Sequence, residues 1–383
     1  MNPMKQPLVS VVTPVYNEEK HLAECIESVL AQTYSNWEYV IVNNCSTDRS
    51  LQIAQKYAAQ DARIRVCDNR EFLQATPNHN YALRQISSES KYCKVVLGDD
   101  WIFPECLAKM VELAEAHPSV CIVGAYALRG ADVSLYGLPY SSNVIAGGDI
   151  SRWTLLRRPY VLGTQTSILM RADLVRASES FYNESSMHAD TEACFKLLRH
   201  GDFGFVHQVL TYTRVREGSL RSFSQRYNTY KSHSIDMLLK FGPAVLSQHE
   251  LSALLKDQLA SYYRYLADSV FRLREKEFWA YHRAKMESIG YPLSLPRLLM
   301  AVCAKTIDKL LNPKRTIEGL LKKSEKPGER SRAGTHGNSD SVIRGSRASP
   351  MSPEGGEPEE RGDEAKETQS RDCIQGLGGR RCI

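Results

Sequence analysis

Two adjacent aspartates, Asp99 and Asp100, follow the apolar run Val95-Val96-Leu97 after a single glycine. A strand of that kind delivers both carboxylates to the edge of a sheet. Adjacent carboxylates repel one another unless a cation joins them. Mg2+ or Mn2+ favours such hard oxygen ligands and would also hold a diphosphate. The same pair suits the start of a helix, where carboxylates cap free N–H groups. Further along, Asp190 and Glu192 stand before Ala193-Cys194-Phe195-Lys196-Leu197-Leu198. A carboxylate there complements a helix dipole, or it takes a proton from a hydroxyl as a general base. Spacing alone does not choose between these roles.

Polar and aromatic groups close two other apolar runs. Tyr16 and Asn17 follow Pro14-Val15, and a ring and an amide there could stack on and hydrogen-bond a nucleobase. Asn17 is equally suited to cap a helix. Asn43, Asn44 and Ser46 add donors and acceptors after the next run. Arg214 and Arg216 follow Leu210-Thr211-Tyr212-Thr213. They could neutralise phosphate oxygens, although isolated arginines are commonly surface residues.

The elements that must carry these groups are legible from periodicity. Residues 8–15 read as a buried strand, followed by Asn17 as N-cap, Glu18 and Glu19 in a first helical turn, and Leu22, Ile26, Val29 and Leu30 at helical spacing. Residues 37–42 form a second strand ending in the polar turn 43–48, and a helix bears Leu51, Ala54 and Ala58. Residues 63–67 and 93–97 are further strands, 80–86 reads as helical, and Pro104 opens another helix. Such alternation predicts an α/β fold with a mostly parallel central sheet flanked by helices. Ligands bind such sheets beyond the carboxyl ends of the strands. The turns holding Tyr16-Asn17, Asn43-Asn44 and Asp99-Asp100 should therefore meet at one edge. Residues 161–170 and 203–215 read as strands with a short helix near 190–200, and the pattern turns helical from about residue 225. Beyond residue 322 the chain is rich in Gly, Ser, Pro and charge, too poor in large apolar residues to order itself.

Taken in order, these pieces resemble the family 2 glycosyltransferases, which have the GT-A nucleotide-diphospho-sugar transferase fold. Val9 to Glu18 looks like that family's opening strand and Glu24 to Tyr34 like its first helix. Asn43 to Asp48 matches its polar turn, Leu97 to Trp101 its aspartate motif, His188 to Leu198 its acidic helix entry, and Gly204 to Ser219 its closing strand. The resemblance covers about residues 8–220 and implies a catalytic domain over 1–224, a helical C-terminal region over 225–321 and a disordered tail over 322–383. It implies that Asp99 coordinates Mn2+ or Mg2+ with Asp100 in support. Pro14, Tyr16 and Asn44 would line the nucleoside pocket with Asn17 and Ser46 beside them. Asn80 would sit near the donor, Arg216 would contact the diphosphate, and Asp190 would be the base. The implied reaction is a single displacement with inversion, from a nucleotide sugar such as a UDP-sugar to a hydroxyl acceptor, for instance a lipid-linked glycan in polysaccharide synthesis. The chain departs from the family pattern at Leu97, where an aspartate is frequent, at Asn43-Asn44-Cys45 in place of Asp-Asp-Gly, and at Arg216, where a histidine is frequent. These departures motivate the alternative of a nucleotide-sugar-binding or scaffolding protein without catalysis. A nucleotidyltransferase would want a glycine-rich loop near the first strand, which reads Pro-Val-Tyr-Asn-Glu.

Composition sets outer bounds. The 383 residues carry a formal net charge of +5, without the clustered basic face of a nucleic-acid binder in the first two hundred residues. The ten cysteines form no CxxC pair, which speaks against a zinc site and for free thiols in a reducing cytoplasm. The opening residues lack the apolar core of a signal peptide. No uninterrupted apolar run approaches the roughly 20 residues that span a bilayer. The expectation is a cytoplasmic protein. Its C-terminal helices would either touch the inner membrane face or pack on the catalytic domain or a second subunit of a homo-oligomer.

Overall fold

A computed structural model describes residues 6–216 and 220–312. In chain order these form β1 (Val9–Val15), α1 (Leu22–Leu30), β2 (Trp37–Asn43), α2 (Ser50–Ala58), β3 (Ile64–Asp68), α3 (Ala75–Leu83), β4 (Tyr92–Val95), β5 (Trp101–Ile102) and α4 (Cys106–Ala116). The chain continues through β6 (Val120–Arg129), β7 (Asp132–Ser134), β8 (Val144–Ile145), α5 (Gly147–Leu155), β9 (Ile168–Arg171), α6 (Ala172–Arg176), α7 (Ala189–Leu197) and β10 (Asp202–Thr213). It closes with α8 (Leu220–Tyr227), α9 (Tyr230–Val245), α10 (Gln248–Phe271), α11 (Lys276–Ser288) and α12 (Leu295–Leu311).

The sheet runs in the order β3-β2-β1-β4-β9-β6-β10-β5, with β7 on β6 and β8 on β10. Strands β3, β2, β1 and β4 are parallel. Strand β9 then enters antiparallel to both β4 and β6, and β10 runs parallel to β6. All seven residues of β1 are buried, because helices cover both faces of a strand in this position and its sequence becomes one apolar run. Alternate residues feed two cores. Val12, Val40, Val95, Phe203 and Phe205 lie in one, and Val11, Ile41, Ile26, Leu107 and Met110 in the other, as the period of two in a strand requires. A third cluster around Tyr262, Phe278 and Met286 holds the C-terminal helices together. Those helices dock on the sheet domain through the forked pairing of Arg152 with Glu250 and through Phe195 against Phe241, ring centres 5.0 Å apart.

Several local expectations are corrected. Asn17 does not cap α1; its backbone is left-handed (φ 54°), and the cap position is His21. A turn in which the Glu18 carbonyl accepts from His21 N and Leu22 N separates β1 from the helix. Glu18 and Glu19 consequently stand outside the helix. Strand β4 ends at Val95 rather than Leu97, and α3 begins five residues earlier than its apolar pattern suggests. Only the end of 161–170 is strand, preceded by a 3-10 turn at Gln165–Ser167. The segment 322–383, expected to be disordered, lies outside the described residues. No helix among the described residues is long and apolar enough to cross a membrane.

Candidate active site

The loops after β1, β2 and β4 do meet. Asn17 bridges the first two: its N–H donates to Ser46 Oγ at 3.1 Å, and its Oδ1 accepts from Thr47 N at 2.8 Å. A left-handed residue with a short amide side chain suits this crossing, since Asn tolerates that conformation better than most residues. Glu18 N donates to Ser50 Oγ at 2.8 Å and Glu19 N to Asp48 Oδ2 at 3.0 Å, so α2 is tied to the end of β1. Gly98 packs against Glu18, whose Cγ would lie 3.3 Å from any Cβ added there.

The two aspartates divide the work. Asp100 turns inward and is 3% exposed. Its Oδ2 accepts from Thr166 Oγ1 at 2.6 Å and its Oδ1 from Arg214 N at 3.0 Å. Both oxygens are thus spent on protein donors, and Asp100 positions its neighbours rather than meeting a ligand. Burial, reinforced by the adjacent Asp99 charge, pushes its pKa up to about 7. Asp99 is less deeply buried, with Oδ2 2.9 Å from Arg216 Nε. The same arginine forks onto Glu18, donating to Oε2 at 2.8 Å and also to Oε1. Burial holds the Glu18 carboxyl above its usual range although Arg216 opposes the shift. Arg214 does not face a ligand: Nε donates to the Asp99 carbonyl at 3.0 Å and the fork pairs with Glu24.

A fully buried lysine underlies this edge. Lys94, on β4, donates to the Thr166 and Ile168 carbonyls, and burial lowers its pKa. It fixes the turn whose threonine holds Asp100. Lys94 does not announce itself in the sequence, because its partner lies 72 residues away, and Thr166 was legible only as part of a segment, 138–168, shaping the acceptor side, not as the partner of Asp100. Glu18 was legible only as a helix-entry carboxylate.

At the end of β1, Tyr16 is exposed and its ring lies 4.8 Å from that of exposed Phe72. Pro14 is buried within β1, opposite Val42. Asn44 is spent: Oδ1 accepts from Leu73 N at 2.9 Å and from Asn69 Nδ2 at 3.1 Å, and Nδ2 donates to the Leu73 carbonyl at 2.7 Å. It splints the loop carrying Phe72. Its neighbour Asn43 donates to Asp68 Oδ1 at 2.7 Å, while its own Oδ1 is buried without a partner. Asn80 is also withdrawn from the site. It is 1% exposed, accepts from Tyr182 N and donates to the Tyr182 carbonyl and Glu184. It clamps the segment before α7 instead of approaching a ligand.

Asp190 lines a cavity of about 610 Å3 together with Tyr160, Gly163, Thr164, His188 and Thr191. Thr191 N donates to its Oδ1 at 2.7 Å, and burial raises its pKa. Glu192, which spacing could not distinguish from Asp190, points the other way: Asn183 donates to both its oxygens and Lys240 pairs with it. The two halves are joined by residues 160–167. Tyr160 Oη is 2.9 Å from Thr191 Oγ1 at one end, and Thr166 holds Asp100 at the other. The structure therefore brings Asp99, Asp100 and Arg216 together, seats Asp190 in the adjoining cavity, and removes Asn44 and Asn80 from ligand contact. Among the described residues no three His, Cys, Asp or Glu side chains are grouped to hold a metal on their own.

Residues 10–176 match the model for glycosyl transferase family 2. EpsE, a Bacillus subtilis (strain 168) protein named as a glycosyltransferase, is 32% identical over 227 residues, covering 58% of this chain and 78% of EpsE. The chain belongs to glycosyltransferase family 2. TuaG of the same organism, which carries teichuronic acid biosynthesis in its name, is 33% identical over 127 residues, a third of this chain and half of TuaG. Among solved structures, residues 1–349 of Staphylococcus aureus TarS, crystallised with UDP-GlcNAc, superpose with a TM-score of 0.54 at 20% identity, covering 73% of this chain and 80% of that one. The fold is thus the GT-A fold of family 2 glycosyltransferases, and the protein is a transferase enzyme.

Proposed function

We propose that this family 2 enzyme moves a sugar from a nucleoside diphosphate donor to a hydroxyl of a cell-surface glycan, with inversion. The observation that carries this reading is the single segment 160–167 with Asp100 tied to one end and the Asp190 cavity at the other. It supports one working centre, with the donor's diphosphate near Asp99 and Arg216 and the acceptor beside Asp190. The nucleobase stacks on Tyr16 and Phe72, and the orphaned Oδ1 of Asn43 accepts from the base. Uridine is the favoured base, given the UDP-GlcNAc named for TarS. Asp99 and Glu18 would hold a divalent cation, Mn2+ or Mg2+. With a carboxylate or two and diphosphate oxygens around it, such an ion supplies positive charge to the leaving group. Arg216 swings from the two carboxylates to the diphosphate, which its fork matches. Asp190, with its pKa raised, takes the acceptor's proton.

The exposed apolar residues Leu295, Leu299, Met300, Ile307 and Leu310 of α12 support a contact with the inner membrane face, where a lipid-linked acceptor would reside.

The test is release of nucleoside diphosphate from a panel of sugar donors, with Mn2+, with Mg2+ and with EDTA. Asp99→Ala should lose turnover while keeping its unfolding midpoint. Binding of UDP with no turnover on any donor would instead favour a non-catalytic protein.

A further inference from the structure

The cavity beside Asp190 has a second wall, and that wall comes from the C-terminal helices. Tyr230, His233, Ser234 and Met237 of α9 and Gln258 of α10 line it, all beyond the residues matched by the family model. Two of these side chains are chemically incomplete. His233 is 8% exposed and Gln258 4%, and His233 Nε2 and Gln258 Oε1 are buried without a hydrogen-bond partner. A buried polar atom left unpaired is costly, so each has a ligand atom to gain. An imidazole nitrogen and an amide oxygen in the lining of one cavity match sugar hydroxyls, which both donate and accept, and the exposed rings of Tyr160 and Tyr230 offer apolar faces to a pyranose.

The charge of the cavity is lopsided. Arg129, Arg157 and Arg158 line it, and among the described residues none of the three guanidinium groups has an ion pair or hydrogen bond. Arg157 and Arg158 are exposed and Arg129 is half-buried. Arg157 occupies a left-handed position (φ 56°) just after α5, where glycine would be free of strain. Among the described residues Asp190 is the sole acidic residue in the lining. Lys231 of α9 adds to the positive field: repulsion from Arg157 joins burial in lowering its pKa. Three unpartnered guanidinium groups around a sugar-sized cavity have one chemistry in common, the forked binding of a phosphate or carboxylate.

We infer that the acceptor is a glycan bearing an anionic group near the hydroxyl to be glycosylated, gripped by Arg129, Arg157 and Arg158 while His233 and Gln258 read the sugar. This rests on the proposed transfer reaction and names the acceptor class for that same cavity.

The experiment measures binding to the full chain by isothermal titration calorimetry for four probes: methyl glucoside, glucose 1-phosphate, glucuronic acid and inorganic phosphate. Wild type should bind at least one charged sugar about tenfold tighter than methyl glucoside, the scale of a charge-assisted hydrogen bond. The tighter of the two tells phosphate from carboxylate. Arg158→Gln and Arg157→Gln, both at exposed positions, should each shrink that preference several-fold, and Gln258→Ala should weaken charged and neutral sugars alike. Equal binding of charged and neutral sugars would overturn the inference. So would inorganic phosphate matching glucose 1-phosphate with the preference insensitive to both arginines. Donor hydrolysis in the same preparation reports separately on the transfer reaction: its absence refutes that reading, whereas hydrolysis without charge preference refutes only this one.

Discussion

Asp100→Asn removes a carboxyl that the fold holds in its less comfortable charge state. The ordinary value is 3.8, and burial with the neighbouring Asp99 pushes the folded value up to about 7. The native state therefore binds this proton more tightly than the unfolded chain does. The stability so contributed is complete below about pH 4 and is lost as the pH rises through 7. At about 1.4 kcal/mol for each pH unit between the two values, the loss reaches about 4 kcal/mol. Asparagine carries no such proton. Its oxygen still accepts from Arg214 N, and its amide can donate to Thr166 Oγ1, so the contacts of the carboxyl are kept. Lys94, Arg214 and Asp99 face the site in both proteins. Urea unfolding followed by circular dichroism from pH 4.5 to 8.5, in EDTA, gives the difference directly. Asp100→Asn should match wild type near pH 4.5 and exceed its stability increasingly toward pH 8. A difference that is flat with pH, or a variant that loses most at high pH, would refute the argument that burial dominates this carboxyl.

Asp190→Asn should lower kcat for nucleoside diphosphate release by about 10²–10⁴ with little change in donor KM; a drop below tenfold rules out Asp190 as the base. Tyr16→Ala should weaken UDP binding, titrated by calorimetry, by about 1–3 kcal/mol, the stake of one base–aromatic stack. Gly163→Ala should destabilise the enzyme and depress kcat together. Its φ is +70°, and the added Cβ would lie 2.5 Å from Ser167 Cβ, so segment 160–167 must distort; unchanged turnover would show that this segment does not couple the two halves.

Much of the sheet edge after β1 and β2 was readable from sequence, because it is local. Val9–Val15 and Trp37–Asn43 are continuous apolar runs ending in polar turns, and their parallel pairing places those turns together. The individual amides were not readable. Asn44 and Asn80 have the right side chain for a ligand, yet each finds a complementary peptide group elsewhere, at Leu73 and Tyr182. Periodicity says nothing of such partners. The same holds for Glu192 against Asp190. Two residues apart on a helix they face differently, and the positions of Asn183 and of Lys240 on α9 decide which one is consumed. Strand β9 was blurred because the chain leading into it is irregular, fixed by Lys94 rather than by a ladder.

The ties across the working edge span long stretches of chain: 66 residues from Asp100 to Thr166, 114 from Asp100 to Arg214, and 198 from Glu18 to Arg216. Loops of that length cost entropy before their contacts repay it. The parallel pairings of β1 with β2 and of β2 with β3 draw on nearer neighbours, Val9 opposite Trp37 and Tyr39 opposite Ile64, and have a shorter wait. On refolding from denaturant, helical and strand signals should thus return well ahead of turnover. During synthesis the polypeptide has no competent enzyme until β10 has left the ribosome and settled beside β6.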